Sequence, residues 1–112
     1  MKDAVILISR YGMGSADERL QLTLIAKYLE LLLHNGDLPS AICFYTDGVR
    51  LVCEGSPVIE QLQKLESSNV RLISCSTCLN YFGLQDKVLV GIVGGMGDIL
   101  EAQARAEKVI SI

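Results

Sequence analysis

The segment Val70–Gly83, with the sequence VRLISCSTCLNYFG, decides how the chain folds. Its first part, Val70–Cys75, is a short apolar run that predicts a β-strand. The residues from Ser76 to Gly83 predict one or two helical turns closed by a glycine. Because a strand that passes directly into a helix is typical of a β–α–β unit, the segment indicates a parallel sheet covered by helices.

The rest of the chain repeats this alternation of strands and helices. Apolar runs predict strands at Ala4–Ser9, Ala41–Tyr45, Val70–Cys75, near Val88–Ile92 and at Lys108–Ile112. Helices are predicted at Glu18–His34, Val49–Cys53, Pro57–Glu66 and Ile99–Ala106, with Asp17, Ser56 and Asp98 placed as N-caps of the three longer ones. We therefore predict an α/β fold, a three-layer α/β/α sandwich with a mainly parallel sheet of about five strands.

The length of 112 residues predicts one domain, residues 1–112, with a core that needs no disulfide. The net charge is −3 and no cluster of Lys or Arg occurs, so nucleic acid and an anionic membrane are not expected as partners. No apolar run is long enough for a membrane span or a signal peptide. We therefore expect a cytoplasmic protein whose four cysteines are reduced thiols.

Apolar residues are abundant for so small a domain. They make up 50% of the sequence, and the mean hydropathy is +0.37. This excess predicts that another subunit covers part of the surface, most simply in a homo-oligomer.

Cys75 and Cys78 are the candidate reactive residues. Cys75 ends a predicted strand and precedes a helix, at the edge where open α/β sheets bind their ligands. The start of a helix favours an anion, and the thiolate is the reactive form of cysteine. We therefore expect the Cys75 sulfur to lie in a hollow that solvent reaches, with its thiolate stabilised by the helix start.

Other interpretations of these cysteines stay open. Cys75 and Cys78 would share a helical face, so they could form a dithiol redox centre, or they could be inert core thiols. A zinc site would need further ligands from Cys43, Cys53 or His34, and we predict these three to be a strand residue, a core helix residue and a helix-end residue. We predict neither a metal site nor a cofactor.

Two glycine-rich loops follow predicted strands. Gly12-Met13-Gly14 follows the first strand, and Gly94-Gly95-Met96-Gly97 follows the fourth. Neither has the spacing of a dinucleotide-binding or phosphate-binding loop, so the glycines are best explained by tight turns. Because the carboxyl ends of parallel strands share one edge, both loops are predicted to border the pocket of Cys75.

With these motifs in view, the chain resembles the DsrE/DsrF-like family of sulfurtransferase and sulfur-relay proteins, most closely the DsrE-like domain of YedF-type proteins linked with selenium metabolism. The resemblance spans essentially the whole chain. It rests on FYTDGVRL from Phe44, GSPVI from Gly55, CSTCLNYFGL from Cys75 and VGIVGGM from Val90.

The resemblance implies a function for the cysteines. In the family, the sulfur-carrying cysteine ends the corresponding strand and precedes a glycine by eight positions, as Cys75 precedes Gly83. It implies that Cys75 carries sulfane sulfur as a persulfide and passes it to a partner thiol. Cys78 would resolve the persulfide or form a disulfide with Cys75, and Asn80 and Tyr81 would help the two loops to shape the pocket.

The resemblance also implies donor and acceptor proteins as partners, and assembly into oligomers. Two alternatives remain from the residues alone: a non-catalytic module that binds a small ligand or a protein and holds inert thiols, and a Cys75–Cys78 redox switch.

Overall fold

A five-stranded sheet runs through the computed structural model, which describes all residues from 1 to 112. Its strands are β1 (Ala4–Ile8), β2 (Ala41–Phe44), β3 (Arg71–Cys75), β4 (Ile92–Gly94) and β5 (Lys108–Ser111). All neighbouring strands are parallel, in the order β4-β3-β2-β1-β5. The predicted parallel sheet is therefore confirmed, and the sequence had left its strand order open.

Helices cover both faces of the sheet. They are α1 (Glu18–Asn35), α2 (Ile59–Ser67), α3 (Ser76–Tyr81) and α4 (Met96–Arg105), together with a 3-10 helix at Thr46–Val52. α1 and α2 pack against each other on one face. α4 carries the chain from the edge strand β4 back to the opposite edge strand β5, and a right-handed crossover of this kind places it on the other face. The three-layer α/β/α arrangement is confirmed.

The core lies around the three central strands. Every residue of β1 and β2 is buried, and β3 exposes only Arg71. These strands are the continuous apolar runs of the sequence, as expected for strands covered on both faces. The edge strands β4 and β5 contain no buried residue. None of the helices combines the length and the apolar character needed to cross a membrane.

The N-terminus of α1 forms as predicted, whereas that of α4 does not. The Asp17 side chain accepts the Arg19 N–H at 2.8 Å. α4 begins at Met96, three residues before the predicted start. The Asp98 carboxylate lies inside its first turn and accepts the Gly95 N–H at 2.8 Å. The prediction of Asp98 as N-cap was wrong, because this carboxylate caps the helix from within.

The fourth strand also differs from its prediction at Val88–Ile92. β4 is the short segment Ile92–Gly94, whereas Val88 forms an antiparallel bridge with Cys53, just after the 3-10 helix. The Leu89 N–H donates to the Val52 carbonyl at 2.8 Å. The predicted strand is therefore divided: Val88 pairs with Cys53, and only Ile92, at the end of the run, joins the sheet.

Candidate functional site

The carboxyl edge of the sheet brings distant segments together. Cys75 ends β3 and pairs in register with Gly94, which ends β4. The 3-10 helix follows β2, the neighbour of β3 on its other side, and packs against both β3 and α3. The Cys75-x-x-Cys78 motif therefore lies between the ends of β2 and β4, at the edge that the sequence predicted.

Cys75 is buried more deeply than expected. Its relative exposure is 0%, and it belongs to the hydrophobic core cluster. As the residue before α3, it makes no side-chain hydrogen bond to the helix start. The expectation of a solvent-reachable Cys75 stabilised by helix amides is therefore wrong. α3, the 3-10 helix and the end of β4 close over the strand end, which a local sequence pattern cannot reveal.

Cys78 is the partly exposed thiol of the pair. It lies in the first turn of α3, and its Sγ accepts the main-chain N–H of Thr46 at 3.1 Å. The sequence predicted that the start of the helix would stabilise the thiolate of Cys75. The structure instead gives Cys78 an amide from the 3-10 helix that follows β2.

Burial, the Thr46 amide and Cys75 together set the protonation of Cys78. Burial raises the pKa of its thiol, the Thr46 N–H lowers this pKa, and contact with the Cys75 side chain and its charge raise it. The net direction is upward, so the neutral thiol predominates at physiological pH. Cys75 and Cys78 lie three residues apart at the start of α3, and Cys75 affects the Cys78 pKa, so the two thiols are near neighbours. Exchange of sulfur or formation of a disulfide between two thiols requires such proximity.

Thr46 adopts an uncommon backbone conformation. Its φ is +48°, in the left-handed region that β-branched residues rarely enter. Such a conformation costs on the order of 1–3 kcal/mol and persists only where its surroundings hold it. The Thr46 hydroxyl lies within hydrogen-bond distance of the Ser9 and Tyr45 carbonyls, and its single proton can be donated to one of them at a time. Thr46 is thus anchored to the end of β1.

The predicted pocket loop Gly12-Met13-Gly14 packs on α1. The Met13 N–H donates to the Gln21 carbonyl at 3.0 Å. A Cβ on Gly12, whose φ is +131°, would lie 2.5 Å from the Gln21 carbonyl carbon. The turn explanation of these glycines is therefore confirmed, and the contacts of the loop are structural.

The other predicted pocket residues have different surroundings. Gly94 lies beside Cys75 in the sheet, Gly95 precedes α4, and Met96 is half exposed at the start of that helix. Asn80 and Tyr81 are exposed on α3, and the Tyr81 ring lies edge-on against Phe82. The structure therefore brings Gly94 to the cysteine pair and leaves Tyr81 on the surface.

A cavity of about 270 Å³ opens near this edge, and none of its residues was predicted for the pocket. It is lined by Tyr11, Glu18, Arg50, Cys53, Glu54, Gly55 and Leu84. The Arg50 guanidinium lies 4.3 Å from the centre of the Phe82 ring and pairs with Asp47 at 3.1 Å. Burial and the nearby Glu18 raise the Tyr11 pKa. The position of Tyr11 just after a predicted strand, and that of Arg50 in the short helix predicted after the next strand, were the signals that could have identified them.

The remaining cysteines lie in the core. Cys43 and Cys53 are buried, and all four cysteines are free. Burial raises the pKa of Cys43 to about 11 and also raises that of Cys53. No three side chains of His, Cys, Asp or Glu meet in a group that could hold a metal ion.

Comparison with solved structures gives the same fold in three proteins. The ychN protein of E. coli has a TM-score of 0.74 and 21% identity, with both chains covered in full. Proteins of unknown function from Methanobacterium thermoautotrophicum (MTH1491) and Bacteroides thetaiotaomicron (BT1422) have TM-scores of 0.71 and 0.69, with 21% and 20% identity. The alignment with MTH1491 covers 97% of each chain, and the alignment with BT1422 covers 98% of this chain and 95% of the other. At these identities the likeness establishes the fold alone.

Sequence comparison establishes the family. No curated protein matches the chain. The family model described as DsrE/DsrF-like matches residues 2–112, which is nearly the whole sequence. The chain therefore belongs to the DsrE/DsrF-like family.

Proposed function

We propose that this protein is a sulfur-relay protein that accepts sulfane sulfur on the Cys75–Cys78 pair and passes it to a partner thiol. One observation carries the proposal: Cys75 and Cys78 lie three residues apart at the carboxyl edge of the sheet, and the Sγ of the partly exposed Cys78 accepts the Thr46 main-chain N–H. Membership of the DsrE/DsrF-like family, in which sulfur relay is common, supports it.

The difference in burial between the two cysteines supports one order of reaction. A donor persulfide cannot meet Cys75, which is fully buried, so the first attack comes from Cys78. The Cys78 thiolate attacks the outer sulfur of the donor persulfide, the donor leaves as a thiolate, and the proton lost by Cys78 balances the proton that the donor gains. The products are a persulfide on Cys78 and the donor's free thiol, with no net oxidation.

Cys75 then acts as the second thiol. Its sulfur attacks the outer sulfur of the Cys78 persulfide, which moves the sulfane sulfur to Cys75 and regenerates the Cys78 thiol. Attack on the inner sulfur would instead give a Cys75–Cys78 disulfide and release hydrogen sulfide, with atoms and charges again balanced. The first path gives Cys75 the carrier role that the family resemblance implies.

The proximity of the two cysteines at the start of α3 also favours a second candidate function, a reversible dithiol switch. The switch predicts a Cys75–Cys78 disulfide under mild oxidation, without any sulfur donor. A non-catalytic module predicts neither product.

Treatment of the reduced protein with inorganic polysulfide, followed by alkylation and peptide mass spectrometry, tests the proposal. We expect one added sulfur on the peptide that contains the pair. Cys78→Ser should abolish the addition, Cys75→Ser should retain it on Cys78, and Cys43→Ala is the control for a buried thiol. Equal addition to wild type and Cys78→Ser would refute the order of attack, and no addition to the pair would refute the relay.

Donor and acceptor proteins, homo-oligomerisation, a cytoplasmic location and any transfer of selenium stay predictions. Exposed apolar side chains lie on the edge strand β4 (Ile92 and Val93) and on α4, which packs beside it (Met96 and Leu100), and a second copy could cover this edge of the molecule. Met96 and Leu100 are one helical turn apart and share a face of α4.

A further inference from the structure

The hydrogen bond between Thr46 and Cys78 depends on an unusual backbone conformation. A β-branched residue holds a left-handed conformation, and its N–H points at a sulfur 3.1 Å away. We propose that Thr46 is the positioning residue of the site: its backbone directs the main-chain N–H at Cys78 and stabilises the thiolate that attacks the sulfur donor. The attack on a sulfur donor rests on the proposed function, whereas the stabilisation of the Cys78 thiolate by Thr46 does not.

The hydrogen bond favours the charged form of the sulfur. Hydrogen bonds to an ionised acceptor are roughly twice as strong as those between neutral groups. The bond therefore strengthens when the Cys78 proton leaves, and it opposes the effects of burial and of Cys75. Removal of the N–H should therefore raise the pKa of Cys78 further and reduce the thiolate fraction at neutral pH about tenfold.

The side chain of Thr46 explains why the conformation is maintained. Glycine adopts a φ of +48° without strain, but it has no hydroxyl to anchor it. The Thr46 hydroxyl reaches the Ser9 carbonyl, just beyond β1, and the Tyr45 N–H donates to the Ile8 carbonyl at 3.2 Å. Because β1 and β2 are buried strands, the amide has a rigid support.

Few other charges act on Cys78. Cys75 is the titratable group whose charge affects its pKa. On the 3-10 helix, Asp47 and Arg50 pair with each other, and α3 carries no acidic or basic side chain. Arg71 lies at the opposite end of β3. The pH profile of Cys78 therefore reports on its own thiol, Cys75 and the Thr46 amide.

Site-resolved alkylation against pH, with iodoacetamide and peptide mass spectrometry, tests this role. An ester in place of the Tyr45–Thr46 amide removes the donor and leaves the side chain unchanged. We expect its Cys78 midpoint to rise by about one pH unit. Thr46→Val, which removes the anchor, should shift the midpoint in the same direction, and Thr46→Ser, which keeps the hydroxyl, should restore the wild-type profile.

An ester-containing chain that titrates like wild type would overturn the role of the amide. A folded Thr46→Val variant with an unchanged midpoint would overturn the role of the hydroxyl anchor. The alkylation profile requires no sulfur donor, so a shifted midpoint without sulfur transfer would sink the relay and retain the role of Thr46. Sulfur transfer together with an unshifted Cys78 midpoint would retain the relay and overturn the role of Thr46.

Discussion

Replacement of Gly48 by alanine should destabilise the protein and disturb the site together. Gly48 lies in the 3-10 helix where the helix crosses the end of β1. An alanine Cβ there would lie 2.1 Å from the Ile8 carbonyl oxygen and 2.8 Å from its carbon, whereas ordinary contacts begin at 3.4 Å. Both obstacles are backbone atoms of a buried strand, so they cannot move aside as a flexible side chain would.

The cost has two parts. Overpacking of a well-packed core costs about 1–3 kcal/mol. Displacement of the helix also threatens the bond from the Tyr45 N–H to the Ile8 carbonyl, and a typical hydrogen bond contributes about 0.5–1.5 kcal/mol. We expect Gly48→Ala to lower the free energy of unfolding by about 2–4 kcal/mol, which corresponds to a fall in Tm of about 10–20 °C.

Gly97→Ala is the matched control, because a Cβ at Gly97, inside α4, meets nothing within 4 Å. Alanine is favoured over glycine in a helix, so this variant should be neutral or stabilised by up to about 1 kcal/mol. Urea denaturation and thermal scans of both variants measure the difference. If Gly48→Ala matches Gly97→Ala in stability, the close packing of the 3-10 helix on β1 is refuted.

Three further changes have defined outcomes. Burial raises the pKa of Cys43 to about 11, so its neutral thiol stabilises the folded state below pH ~9. That contribution, up to about 2–3 kcal/mol, is lost as the pH rises toward 11. Urea denaturation at several pH values should therefore show a steeper alkaline decline in stability for wild type than for Cys43→Ala, and equal slopes would contradict this. Arg50→Lys weakens the contact with the Phe82 ring and should cost about 0.5–1 kcal/mol in the same assay, whereas no loss would show that the contact adds nothing. If a second copy covers β4, light scattering should give a mass above the 12.2 kDa of one chain, and Val93→Lys should reduce it while Leu31→Lys on α1 does not; a monomeric wild type would disprove the oligomer.

Much of the fold follows from local pattern. The continuous apolar runs that became β1, β2 and β3 predicted buried parallel strands, and the Asp17 cap predicted where α1 begins. The pattern failed at Val88–Ile92, where one apolar run divides between the 3-10 helix segment and the sheet. Its division depends on distant partners, which periodicity does not specify.

The site was predicted less completely than the fold. The position of the Cys75-x-x-Cys78 motif at a strand end was correct, but the sequence could not show which thiol the surrounding elements would cover. Thr46 was missed because nothing in a turn sequence marks a β-branched residue as left-handed. Its signal was topological: it follows β2, and the ends of neighbouring parallel strands meet.

The division of roles that we propose for the two cysteines rests on their different surroundings. Cys78 meets solvent and a main-chain N–H, whereas Cys75 is enclosed by the core. A sulfane sulfur on the buried thiol would be shielded from small thiols in solution, and its return would require Cys78. In the proposed relay, Cys78 would therefore be the accessible acceptor and Cys75 the protected store.

The most direct measurement is the mapping of added sulfur on the polysulfide-treated wild-type protein by peptide mass spectrometry. We predict one sulfur atom on the peptide that holds Cys75 and Cys78, and none on the peptides that hold Cys43 or Cys53. An unmodified pair, or sulfur distributed evenly over all four cysteines, would contradict the relay.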